Sequence, residues 1–179
     1  MCTLPLTHIS AYSLSIEPNT VFSQKKLSLP DEDTERRMYW QIVDTLSEKG
    51  FIQYEISNFA RAGYEAIHNT LYWTGAPYIG LGAGAHSFFG NVRYANVSDI
   101  GRYIEASNPI TEFTYIDATA RKEETYMLGL RLMRGIPQTE NPRIQELSEN
   151  GLIWRKNGYI GLTRRGMDIA NYVICRLCE

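Results

Sequence analysis

The chain has 179 residues, a mass of 20.5 kDa and a formal net charge of -2, with 44% hydrophobic and 21% charged residues. That is enough chain for one medium domain, or a main domain with a small appendage, and the charge offers no bulk attraction to nucleic acid or anionic lipid. No apolar run approaches the roughly 20 residues that span a bilayer, and MCTLPLTHIS is not a basic segment followed by an apolar one. Cys2, Cys175 and Cys178 are too few and too oddly placed for a secreted disulfide framework, so the expected setting is a reducing cytoplasm.

The first predicted element is a strand over HISAYSLSIEP (8–18), dense in β-formers, with Ser10, Tyr12, Leu14 and Ile16 on one face. DTERRMYWQIVDTLSEKG (33–50) follows as a helix, with Met38, Ile42 and Leu46 at helical spacing beside Tyr39 and Val43, and Gly50 beyond its end. FIQYEIS (51–57) reads as a second strand. Strand, helix, strand is a unit that builds parallel sheets, and it predicts an α/β fold class.

Residues 58–97, rich in glycine, asparagine and aromatics, are too irregular for a long helix and are the place to seek function. Ser98 is positioned to cap a short helix, DIGRYIEA, and a longer helix is expected from Asp117 to residue 134, before Gly135 and Pro137. A boundary near residue 113 divides the chain into parts 1–112 and 113–179. The second part reads as helix, helix (141–150), strand LIWRK, an Asn157-Gly158 turn, strand YIGLT and a last helix RRGMDIANYVICRL. That is the order of a winged-helix module. Arg155, Lys156, Arg164 and Arg165 tinge its wing basic, but four basic residues in an acidic chain favour packing or partner contact over nucleic acid.

GLGAGA places Gly80, Gly82 and Ala85 at the spacing of a dinucleotide-binding fingerprint. Such a loop needs a helix after it, because the helix N-terminus holds the pyrophosphate, and HSFFGNVRYANV has no helical period. What remains is a segment in which Gly82 and Gly84 admit a ligand or a neighbouring strand, with Ala83 and Ala85 keeping the space clear. A lone histidine is more often a structural hydrogen-bonding residue than a ligand, but His68, in HNTLYW beside Asn69, Tyr72 and Trp73, also suits an axial ligand for a flat metal macrocycle. Cys175 and Cys178 are half of a zinc site without a second half, so two small buried side chains on one helix face are expected there. Glu55 ends the second strand, where α/β folds place working residues; gripping a polar ligand and forming a salt bridge both suit it.

HISAYSLSIEPNT, YEISNFARAG, HNTLYW and YIGLGAGAHSFFG, in this order, resemble the HemW-like radical S-adenosylmethionine family, which is similar to oxygen-independent coproporphyrinogen III oxidase. The resemblance covers essentially the whole chain. It implies the last strands and helices of an incomplete (β/α) barrel over 1–112 and a winged-helix-like domain over 113–179. The family's C-x-x-x-C-x-x-C motif, which carries its [4Fe–4S] cluster, does not occur in this sequence. The chain therefore corresponds to the back half of such a protein, is expected to be inactive alone, and would expose strand edges open to self-association or to the missing half of the barrel.

By the same resemblance Gly82, Ala83, Gly84, Ala85 and His86 lie against the adenine of S-adenosylmethionine, and Ser13 and Ser15 face the cofactor cavity. His68, Asn69, Tyr72 and Trp73 form the segment associated with haem, with His68 as the iron ligand. The decarboxylating branch has an arginine at the His68 position, so haem handling and delivery to a haem-accepting protein is the first expectation. A coproporphyrinogen III oxidase acting by radical decarboxylation is the second, and a protein-interaction module over 113–179 the third.

Overall fold

The structure is a computed structural model that describes residues 4–25 and 27–179; Cys2 lies outside them. The chain divides into two compact units, the first ending at Ala66 and the second spanning Ile67–Glu179. The boundary expected near residue 113 falls within the second unit.

The first unit carries β1 (His8–Ser10), α1 (Glu32–Glu48), β2 (Ile52–Glu55) and β3 (Asn58–Ala60). Helix α1 starts where the Asp31 carboxylate accepts from the Thr34 N–H at 2.7 Å, and ends at Gly50 with φ +79°. Leu46 of this helix packs on Phe51 and Phe59 with Ile9 and Val43, whereas Met38 and Ile42 stay exposed. The inward stripe of α1 is thus its C-terminal part. On the other end of the stripe Tyr39 donates to the Ile56 carbonyl at 2.9 Å and accepts from Gln53 Nε2 at 2.7 Å, tying helix to hairpin.

Two expectations need correction here. The strand predicted over 8–18 stops at Ser10, and Tyr12 and Leu14 are exposed, because after the Ala11 N–H donates to the Ser57 carbonyl the backbone has no further ladder to join. The strand–helix–strand unit is present, yet β1 and β2 do not pair. Strand β3 inserts between them in the order β1-β3-β2, and both pairings are antiparallel. The β2–β3 connection is short enough to be a hairpin, and a hairpin partner forms more readily than a crossover partner.

The second unit opens with α2 (Ile67–Trp73), followed by the antiparallel sheet of β4 (His86–Phe89), β5 (Val92–Asn96) and β6 (Ile110–Tyr115), with α3 (Ile100–Glu105) between the last two strands. Strands β4 and β5 are joined by Gly90 and Asn91 at φ +58° and +60°, the twist that a two-residue hairpin turn requires. Helix α3 is capped by Asp99, whose carboxylate accepts from the Arg102 N–H at 2.8 Å, and not by Ser98.

Then come α4 (Ala118–Gly129), β7 (Ile136–Pro137), α5 (Arg143–Glu149), β8 (Ile153–Lys156), β9 (Tyr159–Leu162), α6 (Arg164–Asp168) and α7 (Ala170–Cys178). Helix α4 ends at Gly129 rather than residue 134, and the last predicted helix breaks at Ile169, where φ -127° and ψ 39° are not helical. Asn157 and Gly158 form the expected turn at φ +52° and +76°, in a sheet of order β7-β9-β8. Tyr126, Leu130, Ile144, Leu147, Ile153, Ile160, Val173 and Leu177 build the core that joins this sheet to its helices. Burial of each such side chain contributes about 1.5–3 kcal/mol.

Cys175 and Cys178 are free and exposed, against the expectation that they are buried. Val173, Ile174 and Leu177 occupy the inward face of α7, which turns the two cysteines outward. The Cys178 thiol is pushed up by partial burial, by Glu123 and by Cys175. Among the described residues no helix is long and apolar enough to cross a membrane, and no group of three or more His, Cys, Asp or Glu could hold a metal ion.

Candidate functional site

The HNTLYW motif folds as α2 because its residues fill two helical turns before Thr74 and Gly75, where Gly75 takes φ +62° and closes the helix. His68 and Tyr72 sit one turn apart, so their rings meet edge to face with centroids 4.8 Å apart. Tyr72 meets Tyr78 in the same way at 4.7 Å. His68 is exposed, Tyr72 is 38% exposed, and the imidazole makes no hydrogen bond among the described residues. The result is an accessible imidazole at the end of a short aromatic column.

Asn69 is half-buried beside this column. Trp73, five positions after His68, lies about 140° further round the helix. It turns toward the C-terminal end of α4, where Arg131, just beyond the helix, stands over its ring at 5.4 Å. The motif therefore divides: His68 and Tyr72 present one surface, and Trp73 another.

The glycine-rich segment is held from three sides. Asn96 Nδ2 donates to the Gly82 carbonyl at 3.0 Å, the Gly82 N–H donates to the Tyr103 hydroxyl at 3.2 Å, and the Gly80 N–H donates to Ser87 Oγ at 2.9 Å. The Gly84 N–H reaches the Val97 carbonyl at 2.9 Å, and the Ala85 carbonyl accepts from the Asn96 N–H at 2.9 Å. Asn96 and Ser87 are buried polar residues whose hydrogen bonds are spent on this loop. Gly82 and Gly84 take φ +110° and +70°, which explains their identity. The tightest approach is at Gly80, where a Cβ would lie 2.2 Å from the His86 carbonyl oxygen.

The loop runs into strand β4 at His86, whose side chain is exposed, and no helix follows. Ile79 and Leu81, 62% and 87% exposed, project from the same segment. Tyr78 exchanges two backbone hydrogen bonds with Phe88, at 2.8 and 2.9 Å, so the aromatic column of α2 is tied to the strand that the loop feeds. Tyr78, Ser87, Asn96 and Tyr103 were not evident from sequence as parts of this arrangement. The buried polar residue flanked by apolar ones, in HSFF and YANV, was the available signal.

Ser13, Ser15 and Glu55 belong to the first unit. Ser13 and Ser15 are exposed beyond β1, and Ser15 Oγ donates to Glu17 Oε1 at 3.0 Å. Glu55 is fully buried; Oε1 accepts from the Ser57 N–H at 3.2 Å, while Oε2 has no partner among the described residues. No salt bridge forms at Glu55 among the described residues, which leaves a buried carboxylate oxygen free for a donor.

No family model matches the chain. Among solved structures it resembles a protein described as "Coproporphyrinogen III oxidase (HemN) from Escherichia coli is a Radical SAM enzyme", with a TM-score of 0.72 and 14% identity over 98% of this chain and 49% of that one. The mixed α/β arrangement is thus the fold of part of a radical SAM protein. In sequence the chain is 34% identical to "Heme chaperone HemW" of Bacillus subtilis over 96% of its length and 51% of that protein. It is 33% identical to "Heme chaperone HemW" of Lactococcus lactis, over 95% and 50%, and 30% identical to that of Escherichia coli, over 93% and 48%. The chain belongs to the HemW-like family and spans about half the length of the curated relatives it matches.

Proposed function

We propose that the chain is the C-terminal portion of a HemW-like radical SAM haem chaperone, the portion that binds haem for delivery to haem-accepting proteins. The observation that carries this reading is the His68–Tyr72–Tyr78 column, an exposed imidazole without a hydrogen bond among the described residues, backed by two aromatic rings. An imidazole of this kind is a good axial ligand for haem iron, and the flat faces beside it suit a macrocycle. His68 is the proposed ligand, with Asn69 and Tyr72 beside it.

In the same reading residues 1–112 supply the last strands and helices of a partial barrel, and residues 113–179 a winged-helix-like domain. The loop Gly82–His86 takes the adenine of S-adenosylmethionine, with Ser13, Ser15 and Glu55 as first-unit contacts to polar parts of the cofactor. The [4Fe–4S] cluster that would cleave S-adenosylmethionine requires three thiolates that this sequence does not carry in the family's spacing, and those ligands belong to the remainder of such a protein.

The test is a haemin titration of the chain followed at the Soret band, comparing wild type with His68→Ala. Loss or displacement of the Soret maximum in the variant is the expected result. An identical spectrum and affinity would remove His68 from the role.

A further inference from the structure

Helix α2 has seven residues, and none of them is buried. A helix this short is marginal in water by itself, so the place of His68 is decided by what holds α2 to the rest of the unit. One such hold comes from Arg121, near the start of α4, a helix fixed where the Asp117 carboxylate accepts from the Ala120 N–H at 2.9 Å. The half-buried guanidinium makes two contacts at once: Nη2 donates to the Gly75 carbonyl at 2.7 Å, and the group lies over the Phe88 ring at 4.9 Å. Gly75 closes α2, and a Cβ there would sit 3.0 Å from Arg121 Nη1, so the guanidinium fits against this turn because the residue is glycine. Arg93 shares the Phe88 ring, at 5.5 Å, but pairs with Glu124.

Phe88 is the strand residue whose backbone pairs with Tyr78 in both directions, and the Tyr78 ring ends the aromatic column. The contacts therefore close on themselves: Arg121 to the last turn of α2, α2 to Tyr78 through Tyr72, Tyr78 to Phe88, and Phe88 back to Arg121. We propose that Arg121 is a positioning residue for the His68 imidazole. It does not bond to His68; it pins the turn at Gly75 to β4, so that Tyr72 stays against Tyr78 and His68 against Tyr72. A guanidinium suits the task because its N–H edge and its flat face act in different directions, whereas a neutral side chain of similar length keeps only the packing. The positioning stands on contacts within the second unit alone. Its use, to present His68 to iron, rests on the haem reading of that residue.

The experiment compares wild type with Arg121→Met, which keeps the stem and loses the donor, and Arg121→Lys, which keeps the donor and the charge. The first readout needs no haem: in the full ligand-free chain the nuclear Overhauser contact between the Tyr72 and Tyr78 rings is expected in wild type and Arg121→Lys and is lost in Arg121→Met. The second is a haemin titration at the Soret band. Arg121→Met is expected to bind about tenfold more weakly, as loss of one charge-assisted hydrogen bond implies, and to shift the bound maximum toward that of His68→Ala, with Arg121→Lys restoring both. A bound maximum unmoved in Arg121→Met, where His68→Ala does move it, would make Arg121 a support of the fold only and overturn the proposal. If His68→Ala leaves the haemin spectrum unchanged, or haemin does not bind, the haem reading fails and the Overhauser contact alone decides for Arg121. Should Arg121→Met not fold, hydrogen exchange of wild type decides, since the clamp requires the amides of Ala76, just beyond α2, and of Phe88 to open together. A Tyr72–Tyr78 contact that survives in Arg121→Met, or separate opening of those two amides, overturns the proposal.

Discussion

The His68 imidazole stands edge-on to the Tyr72 ring with centroids 4.8 Å apart, one turn of α2 separating the two residues. Edge-to-face contact orients an imidazole without consuming either of its nitrogens, which leaves both available to a ligand. Tyr72→Phe keeps the ring and is expected to leave haemin affinity within about twofold. Tyr72→Ala removes the contact and is expected to weaken haemin about three- to tenfold, the 0.5–1.5 kcal/mol that such pairs contribute. Soret titrations of the two variants beside wild type read this directly. Equal behaviour of Phe and Ala variants would show that the ring does not orient the ligand.

The glycine-rich loop makes a prediction about stability. Gly80 tolerates no side chain, because a Cβ would fall 2.2 Å from the His86 carbonyl oxygen, a backbone atom that cannot swing aside. Gly80→Ala is expected to cost about 1–3 kcal/mol, the range for forced overpacking. Gly101, in the first turn of α3, has only the Asp99 carboxylate near, at 3.4 Å, so Gly101→Ala is expected to be neutral or to stabilise by up to about 1 kcal/mol. Urea unfolding of both variants tests the contrast. A Gly80→Ala protein as stable as wild type would mean that Ser87 and Asn96 do not hold the loop in this place.

The C-terminal helix makes a prediction about pH. Arg176 Nη2 lies 3.1 Å from Glu146 Oε1, and Arg176 also pairs with Glu179. The Arg176 guanidinium holds the Glu146 carboxyl below its usual range, with Arg143 adding to the effect. A depressed carboxylate contributes stability that is present above its unfolded value and is lost as pH falls through its folded one. Glu146→Gln is therefore expected to melt below wild type at pH 7 and to melt with it near pH 3. Thermal melts at the two values check it, and a gap that persists in acid would assign the effect to packing instead.

Much of the fold was legible from local rules. Asp117 was recognisable as the start of α4 and Asn157-Gly158 as a hairpin turn, because capping and positive-φ turns are decided by a few adjacent residues. The failures required knowledge of distant partners. Nothing within 8–18 says that only three residues find a neighbouring strand, and nothing in YEISNF says that β3 will come between β1 and β2. At the candidate site His68, Asn69, Tyr72 and Trp73 were legible as one motif, but not the helix that turns Trp73 away from His68. The surroundings of Tyr78 and Trp73 were not, because their partners, Phe88 and Arg131, come later in the chain. The exposure of Cys175 and Cys178 depended on which face of α7 Val173 and Leu177 would claim.

The Arg93–Glu124 pair is the clearest electrostatic link between the β4-β5-β6 sheet and α4. Its 2.7 Å contact joins a guanidinium 38% exposed to a carboxylate 13% exposed, so solvent screens the arginine more than the glutamate. Arg93 also lies over the Phe88 ring at 5.5 Å, and Arg121 of α4 packs on the same ring at 4.9 Å. Replacing Glu124 by Gln keeps the shape but removes the charge that pairs with Arg93. A partly exposed pair of this kind is worth about 1–2 kcal/mol, between the surface value and the buried one. The loss should be smaller in high salt, where wild type itself is screened. Hydrogen exchange should localise the change to β5 and the first turns of α4, while the α5–β8–β9 core keeps its protection. Uniform loss of protection across the second unit would show instead that Glu124 supports the whole unit rather than this one junction.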